Sequence, residues 1–579
     1  MHEFDNLIDT DVLVIGGGLA GTWAAVRAKD FPVDVTLVEK AMVARSGAST
    51  FAAGVMLAPQ PDDDLDLWKK EIFERGDYLN DQDAVDVLLQ DQIQRVSQMD
   101  GWGFPFERDA SGQVVRTIGR AHKTTRILMF HGRKMMDGMR KQVVGKGVRL
   151  VERVMITDLL TSDGKYPTDG SIVGAMGFDV RSGETYLFRS KAVVMAAGYT
   201  SYRVGGGCCD NLAGDGVAAT MRAGAQQLGL EFMTGCNITV WERRFHTAGI
   251  NMMQGSGARI VNALGERFMP KYDPELAERT KTYYLCMAFC KEALEGRGPV
   301  YVDMRHLPPE AIQRFRRVIP KSMRIFDAAG IDIREKMVEC SPSIRIGGSS
   351  SGSGGMRVDK DGRSSMPGLF GAGTATATLA HGTYSVGGVN LANCCVFGYR
   401  AGESAARTAL EAAWPEVEAG GARRLLDAHL APTRRDHGIE PDQVNEEIRR
   451  RLTPAQYNFF RHASRLEETT AWFEQLEQEK LPNLYARDVH EAVKAIELHN
   501  YVLVAKLALG AALVRTESRA SHFREEFPYR DDDNWLKWLV VQETGDGTRI
   551  WTEDVPFERY SLKPPVRGKK PAPVQFFFV

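Results

Sequence analysis

An apolar run, Asp11-Val12-Leu13-Val14-Ile15, passes without interruption into Gly16-Gly17-Gly18-Leu19-Ala20-Gly21 and then into helix-forming residues as far as about Lys29. Strand, glycine turn, helix is the order in which GxGxxG carries meaning. The tight turn asks for a residue without Cβ at Gly16, Gly18 lets a pyrophosphate approach the main chain, and Gly21 lets helix and strand pack closely. Leu19 and Ala20 then open the helix whose free N–H groups face the anion. A second apolar strand, Val33 to Val38, leads to Glu39 and Lys40; a carboxylate some 20 residues past the glycines stands where a ribose hydroxyl needs an acceptor. The pattern predicts an α/β fold with a parallel sheet and a dinucleotide at the strand ends. By itself it leaves FAD and NAD equally open.

Composition narrows the field. A chain of 579 residues is long enough for several domains with large cores. Its 73 basic and 75 acidic residues leave a net charge of -2, so no positive field draws in phosphate backbones, and nucleic acid is not expected as a partner. The eight cysteines (208, 209, 236, 286, 290, 340, 394 and 395) include no CxxC pair, the spacing that zinc or iron–sulfur ligation needs. No metal is therefore expected, and the thiols read as reduced. The first residues are acidic where a secretion signal is basic. The apolar run from Tyr501 to Val514, with Lys506 inside it, is shorter than the ~20 residues of a membrane span. The expectation is a soluble, cytoplasmic protein without a transmembrane segment.

Two later segments favour a flavin. Lys191 to Gly198, KAVVMAAG with Ala197 near its end, and Leu369 to Gly373, LFGAG, read as strands ending in small residues. Such elements return the chain to the flavin in two-dinucleotide-type flavoproteins, and a nicotinamide dehydrogenase has no need of them. To these the sequence adds, in order, Arg45-Ser46-Gly47-Ala48-Ser49-Thr50, Ala213-Gly214-Asp215-Gly216, Asn262 with Gly265-Glu266-Arg267-Phe268-Met269, Gly296-Arg297-Gly298, Val396-Phe397-Gly398, and Glu517-Ser518-Arg519-Ala520-Ser521-His522-Phe523-Arg524 before Asp532-Asp533-Asn534-Trp535.

That ordered set, spanning nearly the whole chain, resembles the flavoprotein subunits of the succinate dehydrogenase and fumarate reductase superfamily, which includes L-aspartate oxidase and the adenylylsulfate reductase alpha subunit. The resemblance implies a Rossmann-like FAD-binding domain in two parts (1–236 and 347–432), an inserted α+β capping domain (237–346) and a C-terminal helical domain with an extended tail (433–579). From Arg434 onward the composition is helix-forming, with Glu446 to Leu452 and Ala463 to Glu479 carrying apolar residues at three and four spacing. In family terms Ser46, Ser49, Thr50, Ala53 and Gly54 would lie along the flavin, Met155 at its adenine side, and Asp215 and Gly373 near the cofactor. Asn390 and Leu391 would present main-chain donors to the reducible ring, where negative charge grows on reduction. Respiratory members attach the flavin through a histidine after Arg-Ser. Here Gly47 follows Ser46, and glycine has no nucleophile, so the FAD is expected to be non-covalent.

The resemblance also shows where this chain departs. Dicarboxylate enzymes clamp their substrate with histidines and arginines, because two carboxylates ask for charged or bidentate donors. Aligned on neighbouring motifs, Gln254 stands in place of the proton-shuttling arginine, Ser343 and Asn237 in place of substrate histidines, and Ser385 in place of a carboxylate-binding arginine. Four neutral side chains there argue against fumarate or succinate. The polar groups left near the expected cavity are Asn237, Thr239, Trp241, Arg243, Arg244, His246, Gln254, Arg345, His381, Tyr384 and Ser385. Arg345 is the first choice for anchoring substrate. His381, His246 and Tyr384 are candidates for moving a proton, and Arg243 and Arg244 read as a solvated pair.

The function expected is hydride transfer between flavin and a small, non-dicarboxylate organic substrate, uncharged or monoanionic, with electrons exchanged through a separate, ferredoxin-like iron–sulfur subunit. The alternatives are an electron-relay subunit with a vestigial pocket, and an adenylylsulfate-reductase-like or aspartate-oxidase-like enzyme.

Overall fold

The computed structural model describes the chain apart from residues 1–2, 53, 120, 201–211, 243–244, 248–249, 349–352, 378, 565–567 and 572–579. Of residues 235–242, 245–247, 250–251, 343–345 and 570–571 it describes the main chain. At its centre the strand Asn6–Ile15 pairs in parallel with Val35–Glu39 on one side and Thr185–Met195 on the other. Arg149–Glu152 extends the sheet beyond Val35–Glu39, also in parallel. The strands Ile172–Asp179 and Val154–Thr161 add an antiparallel flap, and Leu369–Gly371 pairs with Val193 to Met195, above the point where the flap leaves off. Val12, Leu13 and Val14 are fully buried, as expected of a strand covered on both faces.

The helix Leu19–Ala28 packs along Val389–Glu411. Their axes approach closely because Gly402 has no Cβ; one there would lie 2.2 Å from the carbonyl oxygen of Ala24. This pins the glycine turn to the helix whose first turn carries Asn390 and Leu391.

The segment expected to form the cap contains a five-stranded antiparallel sheet, in the order Phe245–Thr247, Thr234–Glu242, Val338–Ile346, Val300–Asp303, Arg259–Val261. The helices Thr282–Leu294, Pro309–Val318 and Pro320–Ala328 complete it. Its core is shared: Met253, Phe289 and Phe326 belong to one apolar cluster with Phe73, Ile127 and Met129 from the first part of the chain and Phe460 and Phe523 from the last.

Beyond residue 433 lie Pro441–Leu452, Ala463–Glu479 and Val489–Val514. The last corrects the sequence expectation. The apolar run is the second half of a 26-residue helix, long and apolar enough by length and composition to cross a membrane. Within the structure 72% of its most apolar window is buried. The C-terminal region is also not purely helical. Lys537–Thr544 and Gly547–Asp554 form a hairpin that joins Gln227–Leu228 and Gly355–Met356 in a four-stranded sheet, and Lys569–Pro571 in the tail pairs with Tyr529–Asp531.

Candidate active site

The glycine turn is sterically obligatory. Gly16 has φ +108°, and a Cβ on it would lie 2.4 Å from the carbonyl oxygen of Ala196; one on Gly21 would lie 1.9 Å from that of Gly16. At Gly18 the nearest neighbour of a Cβ would be Ser49 Oγ at 3.8 Å, so this glycine opens outward. It opens into a cavity with about 960 Å³ of empty space, lined among others by Gly16, Gly18, Leu19, Ala20, Glu39, Lys40, Ser49, Ala197, Gly198 and Asp215. The Leu19 N–H donates to Ser49 Oγ (3.2 Å). Ser46 and Thr50 hold the same turn from behind: Ser46 Oγ donates to Glu39 Oε1 (3.1 Å) and Thr50 Oγ1 to the Ser46 carbonyl (3.0 Å). Glu39 also accepts from the N–H groups of Gly17 (2.6 Å) and Ala41 (3.1 Å), which fixes its carboxylate at the cavity wall. Gly47 opens into the same space and offers no side chain for attachment.

Lys40 meets Asp215 at 2.6 Å and Glu497 at 3.0 Å. Burial opposes its charge most strongly, but the two carboxylates outweigh burial and hold its pKa above the ordinary value. Asn500 donates to the other oxygen of Asp215 (3.1 Å). Asp215 thus lines the cavity while tied to the interior helix Val489–Val514.

Met155 is a correction. It packs on the far side of its strand with Phe4, Leu160 and Phe178, and its neighbours Val154 and Ile156 line the cavity instead. Leu212, Ala219, Thr374 and Cys394, also in the wall, escaped the sequence reading, because small or apolar residues at strand and helix ends carry no chemical signal. Ala53 lies outside the described residues. Gly54 has φ +59°, and a Cβ on it would collide with the carbonyl of Phe130.

A second cavity, with about 560 Å³ of empty space, lies at the start of the helix Val389–Glu411, between the FAD-binding and cap segments. Val55, Ile118, Ile127, Met129, Tyr384, Gly387 and Gly388 come from one side, and Met252, Gly255, Ser256 and Arg314 from the cap segment. Asn390, in the first turn of that helix, has its side-chain oxygen buried without a hydrogen-bond partner. His381 is 1% exposed; its Nδ1 accepts the N–H of Ser385 (2.9 Å) and lies 2.8 Å from Ser385 Oγ. A main-chain N–H can only donate, so Nδ1 carries no proton and the neutral ring bears it on Nε2. Tyr384 stacks obliquely on this ring, 4.6 Å between centroids.

Gln254 sits on the short helix Ile250–Gly255, between Met252 and Gly255 of the cavity wall. It is 1% exposed, and neither its amide oxygen nor its amide nitrogen has a partner. Asn237 and Ser343 are register partners on adjacent strands, as are Thr239 and Ser341, and Gly235 and Arg345. Trp241 pairs with His246 across the hairpin. The side chains of Asn237, Thr239, Trp241, His246, Ser343 and Arg345 lie outside the described structure, as do Arg243 and Arg244 altogether.

A dinucleotide cradle on a doubly paired parallel strand, a cap closing over a second cavity, and a helix N-terminus between them define a two-dinucleotide-type flavoprotein. Comparison with known proteins makes the class specific. Residues 11–391 match the FAD binding domain family, and residues 450–569 the fumarate reductase flavoprotein C-terminal family. A fumarate reductase (CoM/CoB) subunit of Methanothermobacter marburgensis is 30% identical over 561 residues, covering 90% of this chain and 95% of that protein. The 8-methylmenaquinol:fumarate reductase flavoprotein subunit of Wolinella succinogenes is 29% identical, covering 93% and 89%. Among solved structures, the FrdA chain of E. coli quinol fumarate reductase superimposes with a TM-score of 0.86 at 24% identity, covering 97% of this chain and 99% of that one; that likeness concerns the fold.

The chain belongs to the succinate dehydrogenase and fumarate reductase flavoprotein family. It is an FAD-dependent oxidoreductase, and the residues present fit the cofactor: a cavity at the glycine turn into which Gly18 opens, and an unpartnered amide oxygen on Asn390 in the first turn of the helix Val389–Glu411.

Proposed function

We propose that this oxidoreductase acts on an uncharged or monoanionic organic substrate rather than a dicarboxylate, and that its electrons pass to or from a separate iron–sulfur protein. The observation that carries the reading is Gln254. A buried carboxamide with both ends unsatisfied costs roughly 1–3 kcal/mol for each group left without a partner, and Gln254, on the helix whose Met252 and Gly255 line the cavity, brings no positive charge to it. A dicarboxylate would instead need the charge-assisted donors that Gln254 and Ser385 do not supply. The apolar side chains of Val55, Ile118, Ile127, Met129 and Met252 favour a substrate with a hydrocarbon or aromatic body.

Bound FAD supplies a two-electron ring that exchanges hydride with a substrate carbon. The chain's own part is to orient the substrate, exclude water through the cap, and move one proton. His381 is suited to that transfer, because Ser385 holds its Nδ1 and leaves the proton on Nε2; Tyr384, which lines the cavity, offers a hydroxyl beside it. The open second cavity favours turnover over a pure relay with a filled pocket. A separate electron carrier is supported by relatives named as subunits and by a sequence without CxxC. A cytoplasmic setting is supported by the five described cysteines, all free thiols.

The test is anaerobic titration of the FAD-loaded protein with fumarate, succinate and a panel of neutral and monoanionic enones, aromatic acids and amides, following the flavin band near ~450 nm. Bleaching or reoxidation by a member of the panel, with none by the diacids, is expected. Rapid turnover of succinate or fumarate would overturn the proposal.

A further inference from the structure

The loop that presents His381, Tyr384 and Ser385 is held from beneath by one carboxylate that also touches the cap. Asp77 Oδ2 accepts from Thr383 Oγ1 (2.6 Å), from Lys281 Nζ (3.1 Å) and from the Tyr283 hydroxyl (3.4 Å). Thr383 belongs to the loop; Lys281 and Tyr283 stand at the start of the cap helix Thr282–Leu294. From the C-terminal region, Arg530 lies 3.6 Å from the other carboxylate oxygen, and Arg519 donates to the Asp77 carbonyl (2.9 Å). The neighbours of Asp77 brace the same loop: the Gly76 carbonyl accepts the Thr383 N–H (3.2 Å), and Asn80 Nδ2 donates to the Ala380 carbonyl (2.8 Å).

The backbone marks the place as well. Asp77 and Tyr78 have φ +57° and +62°, two successive non-glycine residues in the left-handed region. Each such residue carries a conformational cost that surrounding structure must outweigh. Asp77 stays ionised although it is buried. Burial opposes the charge most, but Lys281, Arg530 and the Thr383 hydroxyl keep its pKa below the ordinary carboxylate range. Lys281, equally enclosed, is pulled down by the same desolvation, with Asp77 as the charge that retains its proton. The cap is seated beside this pair: the Ala121 N–H donates to the Arg279 carbonyl (2.9 Å), and Arg279 Nη2 to the His122 carbonyl (2.8 Å).

We propose that Asp77 is a positioning residue, which sets the loop 379–385 through Thr383 and, through Lys281, makes the placement of that loop depend on the seating of the cap. The proton-handling groups then take up their working geometry only when the cap is down. This rests on the reading of the loop as the proton-moving wall of the substrate cavity.

The experiment uses the full-length, FAD-loaded protein and three variants, D77N, T383V and K281M. Asparagine tolerates the left-handed region as aspartate does, so D77N removes the charge and leaves the turn. Hydrogen exchange read by mass spectrometry is expected to accelerate about tenfold, the scale of one lost charge-assisted hydrogen bond. In D77N and K281M this should occur in both segments, 379–385 and 281–285; in T383V it should be confined to 379–385. The flavin absorption band should shift in all three, with thermal midpoints staying close to the parent's. A uniform rise in exchange over the whole chain, or an unchanged loop in D77N, would overturn the proposal. If D77N does not fold, T383V and K281M decide it by the same segments. The underlying site reading fails separately, if H381Q leaves the flavin band unmoved.

Discussion

At the scale of single residues, chemistry that needs a special backbone was readable and chemistry that depends on which way a side chain faces was not. Gly16, Gly18, Glu39, Lys40, Ser49 and Asp215 all stand at the first cavity, because a dinucleotide turn leaves few residue types able to do each task. Met155 was placed there too, and faces away. Every residue of its strand Val154–Thr161 is buried, so no alternation of polar and apolar residues existed to tell one face from the other. Two predictions belong to this scale. G21V should lose FAD on gel filtration, seen as a collapse of the flavin-to-protein absorbance ratio, because its Cβ would enter the Gly16 carbonyl. Q254L should raise the stability of the substrate-free protein by about 2 kcal/mol or more, since it removes two buried, unpartnered polar atoms, yet abolish bleaching of the flavin by substrate; urea melts and anaerobic titration check the two halves.

At the scale of elements, the motifs quoted from the sequence turn out to be contacts. Asn262 and Arg297, far apart in the chain, meet on Glu292: Arg297 donates to it at 2.6 Å, Asn262 at 3.0 Å and the Tyr272 hydroxyl at 2.5 Å. Burial works against the charge on Glu292, and these donors outweigh it, lowering its pKa from 4.5 to about 2. A carboxylate depressed in the folded state contributes stability that is present above its unfolded value and is lost as pH falls through the folded one. The cap should therefore weaken between pH 4.5 and about 2, and E292Q should flatten that part of the profile; guanidinium midpoints at pH 6 and pH 3 would show it. The long helix Val489–Val514 was half missed for a related reason. Its first turns carry Glu491, Glu497 and Asn500, which look exposed in sequence but are buried and paired, Glu497 with Lys40 and Asn500 with Asp215 and Arg222.

At the scale of the whole molecule, the C-terminal region locks the two cavities in place. Arg519 and Glu517 are wholly buried, and Arg519 bonds Glu517 (2.7 Å), Asp532 (2.9 Å) and the Asp77 carbonyl. Removing one member of such a group leaves uncompensated buried charge, at a cost of roughly 3–5 kcal/mol. R519M should accordingly lower the thermal midpoint and loosen residues around Asp77, measured by calorimetry and hydrogen exchange on the FAD-loaded protein.

The sequence by itself determined the flavin turn and the family, because both depend on residue types at short spacing along the chain. Only the tertiary structure decided which strand face meets the cofactor, that the hairpin Lys537–Asp554 completes a sheet begun near residue 227, and that Asp77 gathers the loop, the cap and the C-terminal arginines. Those are pairings between residues hundreds of positions apart, selected by packing and by the need to neutralise every buried charge, and nothing local in the chain records them.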